Sequence, residues 1–321
     1  MTNVLKNRFR TDCWKEDSIL SVDLYNQWYM TSAPEAYRKA RAGVIKQVVS
    51  AIKGLDNYYT ISTEKLIANP QFLSVLRAST APPLAIDRLV GLSHTTRNIV
   101  CSLEKGNLPR KYSESELIIY LNNIISIIIK LLDYEIFSWL TDSTKPSSQM
   151  INRSASIIAD RISGALADPI IRNSQEARQL KVIDSYLEQR GYKQVASTEV
   201  TVIDKMPPKT YAHHLNVPVD INGKSVNMPI DVVIQPNYYT EHNFPYLIEC
   251  KSAGDFANTN KRRKEEAIKV NQLRHTYGDS NITFILFLCG YFDTSYLGYE
   301  ASEGIDWIWE HRISDFENIG I

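Results

Sequence analysis

The sequence predicts an α/β (α+β) protein, with a largely helical N-terminal region ahead of a central mixed sheet flanked by helices. Three observations carry that expectation. Apolar residues recur at helical spacing through the first half, β-branched runs crowd the second half, and an Asn222-Gly223 turn joins two of those runs. The 321 residues suffice for two domains, and the change of texture puts residues 1–170 in the helical region and 171–321 in the core.

In chain order, residues 34–53 are rich in helix formers with apolar positions near the helical period. Ser113 to Glu116 spells a capping box ahead of a long apolar run, and residues 146–167 continue the pattern. A helix over 173–190 carries Leu180, Ile183, Tyr186 and Leu187 on one face and stops at Gly191. Strands are expected over 197–206, 217–221, 225–236 and from Tyr246 to Lys251. A helix follows over roughly 261–276, and then a continuous apolar strand from Ile282 to Gly290. The tail from Gly304 is compatible with either strand or helix.

Composition restricts the class. Hydrophobic residues make up 44% and charged residues 22%, an ordinary globular balance, and the formal net charge is zero. A polyanionic partner could therefore be met only by local clusters. The four cysteines are scattered without CxxC spacing, which suits reduced thiols and a cytoplasmic setting. The N-terminus lacks the apolar core of a secretory signal. The run from Leu117 to Leu140 contains Asn122, Asn123, Lys130, Asp133 and Glu135, so a buried helix is expected there and no membrane span.

The chemistry lies in two of the expected strands. Asp231 interrupts the apolar run of the third, and Glu249 and Lys251 share one face of the fourth, with Cys250 on the other. Charges inside core strands are costly unless they serve each other. Two carboxylates brought together call for a cation between them, and hard oxygen donors favour Mg²⁺. A lysine beside that cation can orient or deprotonate a water and stabilise charge on a phosphate. The set is suited to metal-assisted hydrolysis of a phosphodiester; the bland alternative is a buried salt bridge.

A basic run follows directly. From Lys251 to His275 there are seven Lys/Arg against three acids. Lys261, Arg262, Arg263 and Lys264 suit a nucleic-acid backbone, while Asn258, Thr259 and Asn260 could reach base edges. His213, His214 and His242 are expected in surface loops, without metal-ligand spacing.

Pro229-Ile230-Asp231 with Glu249-Cys250-Lys251 resembles the motif of the PD-(D/E)xK nuclease superfamily, with one residue inserted between proline and acid. That likeness implies a restriction-endonuclease-like core, metal binding by Asp231 and Glu249 with the Cys250 carbonyl, and an accessory acid on a preceding helix, here Glu176. Three further stretches, IECKSAGDFANTNKRRKEEAIKVNQLRHTYG, TAPPLAIDRLVGL and GIDWIWEHRISDF, look like the XamI-like family of type II restriction endonucleases. The resemblance implies Mg²⁺-dependent cleavage of double-stranded DNA at a short palindrome by a homodimer, and a methyltransferase protecting the host. It leaves the helical region for clamping DNA or dimerisation. A repair or junction-resolving nuclease of the same core, and a non-catalytic DNA-binding protein, are the competing readings.

Overall fold

The computed structural model describes residues 6–200, 202–237, 244–255 and 259–321, the side chains of residue 168 and of 259–263 excepted. The helices are α1 (Trp14–Gly54), α2 (Thr63–Ala68), α3 (Phe72–Ala78), α4 (Ile86–Ser93), α5 (Arg97–Glu104), α6 (Glu114–Leu131), α7 (Ser138–Thr141), α8 (Ser148–Ala165), α9 (Ala167–Gln189), α10 (Thr259–Tyr277) and α11 (Thr294–Ser302). The strands are β1 (Lys193–Gln194), β2 (Thr210–Ile221), β3 (Lys224–Gln235), β4 (Tyr246–Ala253), β5 (Phe284–Gly290) and β6 (Asp306–Trp309). They form one mixed sheet in the order β1-β2-β3-β4-β5-β6. The β2–β3 and β3–β4 pairs are antiparallel, and β1–β2, β4–β5 and β5–β6 are parallel. The expected α/β class is therefore observed. No helix among the described residues is long and apolar enough to cross a membrane.

The chain divides into two compact units, Glu35–Ile171 and a unit made of Met1–Pro34 with Arg172–Ile321. Within the first unit, Ser113 caps α6 through the capping box, and Leu117, Leu121, Ile124 and Ile128 fall on one buried stripe. They pack in a core with Ile52, Leu76, Ile99, Trp139 and Ile158.

The second unit is built on the sheet. One face carries Leu247, Leu286, Val270 and Leu273, so α10 covers it. The other carries Ile248, Phe287, Ile183 and Leu187, so α9 covers that side, joined by Phe316 and Ile319. Leu247 and Ile248 fall on opposite faces because successive side chains in a strand alternate.

A split at residue 170 leaves out the contribution of Met1–Pro34 to the sheet unit. Specific interactions hold the first part of the chain there. Trp14 packs edge-on against Trp307 at 5.5 Å. Asn7 donates to the Trp307 carbonyl at 2.8 Å, and Arg312 donates to Asp17 at 2.6 Å.

Asn222 and Gly223 sit at φ 54° and 77°, the left-handed pair a two-residue hairpin needs, and Asp220 Oδ1 accepts from Gly223 N–H at 2.7 Å. The hairpin extends further than expected, since β2 begins at Thr210 and includes His213 and His214 rather than leaving them in a loop. Residues 197–206 were expected as a strand. Instead the described part holds turns and a 3-10 segment, Ile203–Lys205, while the two residues of β1 pair with the start of β2. β-branched residues favour a strand only where a neighbour offers a ladder. The tail resolves into β6 followed by a 3-10 segment, Glu310–Ile319.

Candidate active site

The site begins where two strands part. The β3–β4 ladder runs Ile234↔Tyr246, Val233↔Leu247 and Val232↔Ile248, and then stops. Asp231 and Glu249 are the next residue on each strand. There the Cys250 N–H donates to Asp231 Oδ2 at 2.8 Å, a side chain standing where a ladder partner would otherwise continue. The separation keeps one carboxylate on each side of an opening.

A backbone irregularity aims Asp231. Met228, Ile230 and Val233 share one core while Val232 and Ile234 join the other, so alternation slips by one residue at this level of β3. The same slip occurs on β2, where Ala212 and Leu215 share a core. The β2–β3 register passes from His213↔Val232 to Leu215↔Ile230, and His214, between them, has φ 49°. A left-handed residue inside a strand is a costly conformation for histidine. It re-aims the side chains of both strands at one level. Carboxylate and imidazole atoms of Glu176, His214 and Asp231 consequently lie within 4.8 Å of one another.

The opening is a cleft of about 440 Å³ lined by residues of α9, β3, β4 and α10. It brings together Asp231, Glu249, Cys250, Lys251 and Glu176, all singled out in the sequence, with Arg172, Gln175, Gln179, Ser252 and Glu265. Four of these side chains are carboxylates and two are cationic, so the lining is net acidic. Gln179, on α9, donates to the Phe287 carbonyl at 3.2 Å and to the Lys251 carbonyl at 3.4 Å, tying helix to strand beneath the cleft.

Behind the lining is a chain of charges. Lys251 Nζ lies 3.0 Å from Glu249 Oε1 and 2.8 Å from Glu266 Oε1. Lys269 Nζ, also from α10, lies 2.7 Å from Glu249 Oε1. Burial lowers the Lys251 ammonium's pKa, but the charges of Glu249 and Glu266 outweigh it and the net shift is upward. Held between two carboxylates, Lys251 is a charged hydrogen-bond donor at the edge of the cleft. Asp231 is pushed up to about 6 by burial and by the charge of Glu249, against the Cys250 N–H and the two lysines. Burial raises the Cys250 thiol well above its ordinary value, which leaves it a neutral packing group.

The donor set fits a hard divalent cation. Glu249 Oε2 is buried with no hydrogen-bond partner, and Asp231 carries a destabilised negative charge beside it. A cation between them would satisfy both, and oxygen donors of this kind suit Mg²⁺.

Of the nucleic-acid contacts expected from the sequence, Asn258 lies outside the described residues, as do the side chains of Thr259, Asn260, Lys261, Arg262 and Arg263. His242 also lies outside them. Lys264 is exposed on α10. Sequence reasoning missed Glu266 and Lys269, and it assigned His214 to a surface loop. The two α10 residues were legible only as members of a charged run. Their inward orientation depends on how α10 packs.

Carboxylates and an ammonium gathered where a mixed sheet opens form a site able to bind a divalent cation against a phosphodiester. Comparison with known proteins agrees with that chemistry. The chain belongs to the XamI restriction endonuclease family, whose model matches residues 56–309. It is 46% identical over 307 residues to the type II restriction enzyme SalI of Streptomyces albus G, covering 96% of this chain and 97% of that protein. No solved structure matches the chain. The protein is a site-specific endonuclease.

Proposed function

We propose that this chain is a type II restriction endonuclease that hydrolyses double-stranded DNA at a short palindrome, with Mg²⁺ as cofactor. The observation that carries the reading is the convergence of Asp231, Glu249 and Lys251 in one acidic cleft, within the segment matched by the family. Asp231 and Glu249 would hold the metal, with the Cys250 carbonyl as a further oxygen donor. Bound there, Mg²⁺ would supply Lewis-acid polarisation of the scissile phosphate.

The remaining work falls to the chain's own groups. Lys251 donates hydrogen bonds to the attacking water and to the phosphate oxygens, and its fixed positive charge offsets the charge that develops in the transition state. Glu176, at the rim of the cleft, accepts a hydrogen bond from the same water and aligns it for in-line attack. The acidic lining repels free phosphate, so productive binding requires both the cation and the basic start of α10. Thr259 and Asn260, with Asn258, read base edges while Lys261 to Lys264 hold the backbone. A homodimer matches a two-fold symmetric site with two-fold symmetric protein. The helical unit clamps DNA or dimerises, the protein acts in the cytoplasm, and a methyltransferase of the same system protects host DNA.

The test is digestion of phage DNA with and without Mg²⁺, followed by sequencing of the ends. Discrete fragments with one common terminal sequence are expected, and cleavage should disappear with EDTA. Lys251→Ala should slow cutting at least about 100-fold while Ca²⁺-supported DNA binding persists. Full activity of that variant refutes the role of Lys251, and cuts that follow junctions or lesions would indicate a structure-selective nuclease instead.

A further inference from the structure

Glu266 does not line the cleft, yet it approaches Lys251 more closely than Glu249 does, at 2.8 Å against 3.0 Å. It is 1% exposed, and its second oxygen, Oε2, is buried without a hydrogen-bond partner. A carboxylate carried that deep into a core is a net cost unless its one partner must be held in place. The two acids that flank Lys251 are not equivalent. Glu249 has a second cation in Lys269, at 2.7 Å, and itself lines the cleft. Lys251 is the one cation paired with Glu266 among the described residues.

The next carboxyl along sharpens the point. Glu300, on α11, is fully buried. Burial and then the charge of Glu266 push it up to about 8, so at neutral pH it is largely uncharged. Glu300 therefore offers Lys251 little countercharge.

We infer that Glu266 is the positioning residue for Lys251, anchoring its ammonium from α10 so that the Nζ stays aimed into the cleft. The inference rests on the role given to Lys251 above. Were Glu249 to share its carboxylate with a bound cation, its hold on Lys251 would weaken and Glu266 would remain as the anchor. A lysine side chain has four rotatable bonds, and without an anchor it samples positions away from the phosphate. A displacement of about 1 Å at a reacting group can cost about 100-fold in rate.

The experiment is single-turnover cleavage at saturating DNA and Mg²⁺, with Kd measured in Ca²⁺. Glu266→Gln keeps the length and one acceptor oxygen, and it should cut about tenfold more slowly. Glu266→Leu keeps much of the volume but no acceptor, and it should fall about 100-fold, toward the rate of Lys251→Met. Both should bind DNA within about twofold of wild type, because a positioning role acts on the chemical step and not on affinity. A Glu266→Leu protein that cuts as fast as wild type, or whose loss appears in Kd with the cleavage rate kept, overturns the inference. Should Glu266→Leu fail to fold, the Glu266→Gln rate decides: a loss in the chemical step supports anchoring, and a wild-type rate overturns it. Lys251→Met cutting at the wild-type rate would instead refute the role of Lys251, a separate result.

Discussion

His214 stands across from Asp231 at the level that the β2–β3 register skips, and it reaches that place with a left-handed backbone at φ 49°. One strained residue thus sets the direction of a candidate metal ligand on the neighbouring strand. Strain of this kind persists only where the surrounding structure overrides it, as the long β2–β3 pairing does here.

That relationship predicts opposite outcomes for two substitutions. His214→Val adds a β-branched side chain where φ is positive and should destabilise the protein by about 1–2 kcal/mol. It should also slow cleavage, because relieving the strain restores alternation and turns Asp231 away. His214→Gly tolerates the conformation and should keep stability near wild type. Urea melts of the two variants make the comparison, and equal stability of Val and Gly would contradict it.

The Asp231 carboxyl makes metal-free stability depend on pH. Its folded pKa, about 6, lies above the ordinary 3.8, so the folded protein binds more protons than the unfolded chain between those values. Stability therefore falls as pH rises through that window and stays lowered above it. In EDTA at pH 8, Asp231→Asn should be more stable than wild type by about 1–3 kcal/mol, and the gap should close by pH 4. Adding Ca²⁺ at pH 8 should raise the melting temperature of wild type but not of the variant, since a ligand stabilises only the state that binds it. A variant less stable than wild type in EDTA at pH 8 would count against this account.

Glu300 follows the same sign over a different window. Its folded pKa, about 8, exceeds the ordinary 4.5, so its burial costs little in acid and progressively more as pH rises toward 8. Glu300→Gln should leave stability unchanged near pH 4 and increase it relative to wild type at pH 8. Thermal melts across that range provide the check, and a variant whose difference from wild type is independent of pH would show that Glu300 does not titrate as described.

Substituting Lys261, Arg262, Arg263 and Lys264 together by Ala tests the basic start of α10. For every side chain among them that neutralises a phosphate, the slope of log K against log salt should become shallower by about 0.9. A slope equal to wild type would remove these residues from the DNA interface.

Much of the site was legible because charge inside an apolar strand is conspicuous. Glu249 and Lys251 lie two residues apart in YLIECK, and Asp231 interrupts MPIDVVI, so local spacing alone exposes all three. Asn222-Gly223 and the Ser113 capping box were legible for a similar reason, since turn and cap chemistry act over a few residues. The β-branched run at 197–206 misled because a strand needs a partner, and β1 and β2 already pair beside it. Glu266 was hidden within KRRKEEA, where a charged run reads as a solvated helix start.

The candidate residues for the chemistry could be picked out along the chain, because burying a charge is costly in any fold and demands a purpose. How they meet follows from the packing of separate elements. The parting of β3 from β4 gives Asp231 the Cys250 N–H, the strained His214 aims Asp231, and the packing of α10 and α11 brings Glu266 and Glu300 up behind Lys251. Those relations join residues on different elements, and no spacing along one segment encodes them.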